Sequence, residues 1–131
     1  MPNSCAGNEP SCSAGLGEPG ELGGLLSDLA AAIAGSIGIA PAANLDPERD
    51  FPSMFEPVHG SAPDIAGRGT ANPLGTIWSA AMMLDQLGHP EAAGTVTDAI
   101  AVLLSTTRLR TPDLGGTATT AEFTTGLIDL L

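Results

Sequence analysis

Between His59 and Pro73 the chain reads HGSAPDIAGRGTANP, a stretch so dense in Gly, Pro and small side chains that neither a helix nor a long strand can run through it. It therefore divides the chain. Ahead of it, Met54–Val58 is a short apolar run that predicts a strand. Behind it, Asn72-Pro73 predicts a helix start. Asn can cap orphan backbone N–H groups, and Pro at the first helical position gives up a donor that has no partner there. Strand, small-residue loop and helix start together present backbone donors and a partly positive helix end to a ligand. The loop's chemistry-bearing groups are the His59 imidazole, the Ser61 hydroxyl and the Asp64 carboxylate. By local pattern alone the segment also reads as a long connecting loop with a good cap, since it matches neither the dinucleotide fingerprint nor the P-loop.

Upstream, residues 1–23 (MPNSCAGNEPSCSAGLGEPGELG) show no periodicity and offer little apolar surface to offset the entropy of ordering them, so the expectation is a disordered arm. Cys5 and Cys12 lie in it at a spacing that makes no zinc pair, and the simplest reading is free thiols. In LLSDLAAAIAGSIG, Leu26, Leu29, Ile33 and Ile37 share a helical stripe, with Gly38 placed to end it. Asp28 reads as a solvated acid on that helix. The segment from Ala43 to Pro52 predicts a strand running into a turn at Asp46-Pro47.

Downstream, a helix is expected from about Pro73 to Leu87, with Ile77, Ala80, Ala81, Leu84 and Leu87 buried and Trp78, Met82 and Met83 broadening the core face. Gly88 ends that helix and Pro90 opens the next, whose apolar face is Val96, Ile100, Leu103 and Leu104. Thr119 and Glu122 have capping-box spacing for a last helix that turns Phe123, Leu127 and Leu130 one way. DLGGT (113–117) reads as structural, its glycines making a turn and its threonines caps.

The 131 residues suffice for one modest domain, and its 43% apolar content is supplied mainly by Ala, Leu and Ile. A formal charge of −11 argues against nucleic acid and anionic membranes as partners. No apolar run has the length of a membrane span, and no basic segment precedes an apolar one, so the expected compartment is the cytoplasm.

HGSAPDIAGRGTANP, WSAAMMLDQLG (78–88) and DLGGTATTAEF (113–123), in this order, resemble the β-decarboxylating hydroxyacid dehydrogenases, the isocitrate/isopropylmalate family. The likeness runs from about Leu25 to the end, and FPSMFEPVHGS with Ile77-Trp78-Ser79 looks nearest to the tartrate/D-malate branch. The resemblance implies an α/β fold, here an incomplete C-terminal portion of the isopropylmalate dehydrogenase-like fold over residues 24–131, with helices packed on a partial sheet. It implies NAD as cofactor and Mg2+ or Mn2+ as metal. His59, Gly60, Ser61 and Ala62 would line the adenosine, Asp64 would accept from both ribose hydroxyls, Ile65 would touch the adenine, and Asn72 would bond its edge. Glu56 would lie toward the nicotinamide. A 2′-phosphate would meet Asp64 as a like charge, which favours NAD over NADP. Of the family's paired metal-binding aspartates, Asp28 stands at the second position and Gly24 at the first, leaving the metal site incomplete.

The chemistry implied by the resemblance is oxidative decarboxylation of a 2-hydroxy acid of the tartrate, D-malate or 3-isopropylmalate type. It needs a metal that polarises the ketone and a Tyr/Lys pair for the proton. This chain has no Lys and no Tyr, so it contributes no catalytic residue to that set. The expectation is a truncated form, inactive alone, of an enzyme that is a homodimer in the parent family. The alternative is a non-catalytic nucleotide-binding or regulatory subunit that associates with a full-length homologue.

Overall fold

Residues 35–131, with Leu29, Ala32 and Ile33, are described by a computed structural model. The arm 1–23, Gly24 and Asp28 lie outside the described residues. Leu29, Ala32 and Ile33 are helical, but the helix does not run on to Gly38. Gly35 takes a φ of +100°, a conformation that side-chain-bearing residues rarely adopt, and ends it. Ser36 then caps a 3-10 turn, Ile37–Ile39, by accepting the Gly38 N–H at 3.0 Å. Ile37 thus belongs to the turn and is exposed, not part of a buried helical stripe.

The chain next forms β1 (Pro41–Asn44) and, after the turn at Asp46-Pro47, β2 (Met54–Pro57). The turn is held by Ser53 Oγ, which accepts from the Asp46 N–H, and by the Asp46 carboxylate, which accepts from the Phe51 N–H. The strands are antiparallel, with Pro41 opposite Pro57 and Asn44 opposite Met54. They form the two-stranded sheet of the described residues. This small sheet under helices is the partial α/β fold that the sequence predicts.

Three helices follow the loop: α1 (Leu74–Gln86), α2 (Pro90–Thr106) and α3 (Thr120–Ile128). α1 lies against both strands and the 3-10 turn. Gly75 makes that approach possible, since a Cβ there would sit 2.9 Å from the Gly38 carbonyl oxygen and 3.1 Å from that of Ala40. α2 packs along α1, and α3 closes over α2. Leu74, Ala99, Ile100, Leu103, Phe123 and Leu127 form the core, flanked by Ile39, Ile77, Val96, Leu104 and Leu109. Phe123 is fully buried, and Leu74 and Leu103 nearly so. Each such side chain contributes about 1.5–3 kcal/mol on leaving water. The capping box forms as expected, with Thr119 accepting from the Glu122 N–H and Glu122 accepting from the Thr119 N–H.

The apolar face of α1 is narrower than its sequence suggests. Ala81 is buried and Ile77, Met82 and Leu84 are half-buried, while Trp78, Ala80, Met83 and Leu87 are exposed. Only one side of this helix meets the sheet and α2, so residues flanking that side stay in solvent. Leu130, two residues past the end of α3 at Ile128, is exposed as well.

Candidate functional site

The loop between β2 and α1 wraps one side of a cavity of about 840 Å³. That volume lies within the range of about 300–1,000 Å³ typical of small-molecule clefts. The opposite wall comes from Ser36, Ile37 and Gly38, and the remainder from Asn72, Asp113 and Thr120. Two contacts pin the loop's far end to the start of α3: the Thr120 N–H donates to the Gly69 carbonyl at 2.8 Å, and Thr120 Oγ1 donates to that of Ala71. Within the loop Ala62 adopts a φ of +40°. A non-glycine residue held there costs about 1–3 kcal/mol, a strain that tends to persist where a site needs it.

His59, Gly60, Ser61, Ala62, Ile65 and Asn72 all line this cavity. Asp64 does not. It is exposed, on the turn between the lining residues Ala62 and Ile65. Glu56 is also outside the lining, exposed on β2 and paired with Ala42. His59 Nδ1 lies 3.0 Å from the Gly60 carbonyl oxygen, so it is the protonated nitrogen of that contact. Nε2 is buried with no hydrogen-bond partner. A buried polar atom left unpaired costs about 1–3 kcal/mol.

Asn72 serves the fold as well as the cavity. Its Oδ1 accepts from the Leu74 N–H at 3.0 Å, capping α1, and its Nδ2 donates to Asp113 Oδ2 at 2.9 Å. Asp113 also accepts from Ser36 Oγ and, through Oδ1, from Thr111 Oγ1. Burial pushes the Asp113 carboxyl up, but hydrogen bonds from Ser36, Thr111 and Asn72 outweigh it and hold the group below its ordinary value. The turn expected of DLGGT forms at Gly115, which takes a φ of +77° after Pro112–Leu114, whereas Gly116 is required by a close approach to the Arg110 carbonyl that a local pattern does not show. Pattern reading also misses Asp113, because nothing local to that acid announces partners 41 and 77 residues away. Ser36 and Thr120 escape for the same reason.

Among the described residues, no group of three or more His, Cys, Asp or Glu side chains could hold a metal ion. Asp28 lies outside the described residues. Nor, among the described residues, is any helix long and apolar enough to cross a membrane.

The isocitrate/isopropylmalate dehydrogenase family model matches residues 21–127, and the chain belongs to that family. It is 56% identical over 100 residues to a probable tartrate dehydrogenase/decarboxylase of Agrobacterium vitis, covering 76% of this chain and 28% of the relative. It is 54% identical over 110 residues to an isocitrate/homoisocitrate dehydrogenase of Thermus thermophilus, covering 84% of this chain and 32% of the relative. Among solved structures, isocitrate dehydrogenase from Methylococcus capsulatus superposes with a TM-score of 0.76 at 39% identity, over 82% of this chain and 32% of that one. A β-decarboxylating dehydrogenase from Thermococcus kodakarensis gives 0.73 at 47% identity, over 82% and 31%. The chain therefore spans under a third of the length of these relatives.

Proposed function

We propose that this chain supplies the adenosine-binding part of an NAD-linked dehydrogenase that oxidatively decarboxylates a 2-hydroxy acid of the tartrate, D-malate or 3-isopropylmalate type. The observation that carries the reading is the cavity between the His59–Asn72 loop and the Ser36–Gly38 turn, lined by His59, Ser61, Ala62, Ile65 and Asn72. Family membership supports the reaction class, and relatives named for tartrate and isocitrate oxidation support a hydroxyacid substrate. His59, Gly60, Ser61 and Ala62 would line the adenosine, and Ile65 would touch the adenine. Asp64, between the lining residues Ala62 and Ile65, would reach the ribose hydroxyls and repel a 2′-phosphate. NAD would accept the hydride. Glu56 would lie toward its nicotinamide end, and Mg2+ or Mn2+ would complete the family's chemistry with Asp28 as this chain's ligand. The setting is a cytoplasmic enzyme.

A second reading has its own observation. With neither Lys nor Tyr in the chain, the acid–base pair must come from other polypeptide. A nucleotide-binding or regulatory subunit docked on a full-length homologue meets that need.

Calorimetric titration with NAD and NADP tests the first reading. NAD should bind and NADP bind more weakly, and Asp64→Ala should narrow the gap by weakening NAD about tenfold or more, as loss of a bidentate acceptor implies. No heat with either nucleotide would remove the reading.

A further inference from the structure

Three segments remote in sequence converge on one carboxylate at the edge of the cavity. Asp113 Oδ2 accepts from Ser36 Oγ and Asn72 Nδ2, and Oδ1 accepts from Thr111 Oγ1. The three donors are buried side chains, while Asp113 itself is exposed at the cavity. Two of them pass the constraint on. Ser36 accepts the Gly38 N–H and shapes the turn that walls the cavity, and Asn72 accepts the Leu74 N–H and sets the start of α1. A single anion thus joins the wall, the helix start and the turn Pro112–Leu114.

We propose that Asp113 is the positioning residue of the nucleotide cavity, acting through the Asn72 amide and the Ser36 hydroxyl. The inference rests on the nucleotide reading above. Both accepting directions of Oδ2 are occupied within the protein, so the group works by orienting its neighbours. With one donor hydrogen of Asn72 directed to Asp113, the other is left with a defined orientation at the cavity. Without Asp113 the Asn72 side chain keeps its cap but loses the contact that fixes its amide group. The Ser36–Gly38 wall loses its tie to this carboxylate at the same time and keeps only its packing against α1 at Gly75.

The test is NAD titration of the full chain and of Asp113→Ala, Asn72→Ala, the double variant and Asp113→Asn, with thermal unfolding recorded for each. Asp113→Ala should weaken NAD about tenfold, and the double variant should be little worse than Asn72→Ala, because residues acting through one another are non-additive. Asp113→Asn keeps an oxygen for Ser36 and Asn72 and turns its amide to Thr111 Oγ1, so it should bind within about threefold of the parent chain. Additive losses in the double variant, or an Asn variant as weak as the Ala variant, would overturn the assignment while leaving the nucleotide reading intact. A parent chain that does not bind NAD would take both down. Should Asp113→Ala fail to fold, Asp113→Glu replaces it. The longer acid keeps the charge and displaces the oxygens, and undiminished NAD affinity in that variant would equally overturn the role.

Discussion

Asp113 shows how far one side chain's environment departs from its local sequence. Its carboxyl lies below the ordinary aspartate value of 3.8, since burial, which raises it, is outweighed by bonds from Ser36, Thr111 and Asn72. A depressed folded-state pKa stabilises the fold above the unfolded value, and that stabilisation is lost as pH falls through the folded one. Glu122, drawn down by its bonds to the Thr119 backbone and side chain, acts in the same direction. The melting temperature should therefore fall in the acid range below about pH 4, and Asp113→Asn should flatten part of that fall. Thermal melts of both proteins across that range check it, and curves that run parallel would contradict it. At this scale His59, Gly60, Ser61, Ala62, Ile65 and Asn72 were legible as a group because they are neighbours on one loop or at its end. Ser36 and Asp113 were not, because only the folded chain makes them neighbours.

Helices were the most readable elements. Pro90 and the Thr119/Glu122 spacing mark the starts of α2 and α3, and Ile100, Leu103, Phe123 and Leu127 are buried as their periodicity requires. The segment ahead of β1 was less readable, since hydrophobic spacing carries Ile37 into a helix that the backbone ends at Gly35. Docking of α1 depends on one residue with no side chain. Gly75→Ala would drive a Cβ to 2.9 Å from the Gly38 carbonyl oxygen, and backbone there cannot yield as a flexible side chain would. The expected cost is about 1–3 kcal/mol, as for other overpacked positions. Denaturant unfolding of the variant measures it, and an unchanged midpoint would show that the turn and helix are not pressed together.

Across the molecule, apolar surface is left over. Ile33 is 80% exposed, Phe51 76%, Leu87 64% and Ile128 61%, and the sheet has two strands among the described residues. Exposed apolar side chains in this number, beside open strand edges, favour association. The isolated chain is expected to sediment as a concentration-dependent mixture, with a broad melt that sharpens as concentration rises. A monomer at every concentration, unfolding in one cooperative step, would contradict this. The matched part of this chain covers under a third of the relatives' length, so they carry further chain that this one lacks.

From the order of its residues alone, this chain determined its family, its helix starts and the loop that borders the cavity. Those properties follow from adjacency, periodicity and which residues tolerate a turn. Tertiary structure alone decided that Asp113 would join Ser36 to Asn72, that Asp64 would be exposed outside the cavity lining, and that Trp78 and Leu87 would face solvent. Each of these depends on which segments lie opposite one another, and a linear pattern does not encode the far side of a contact.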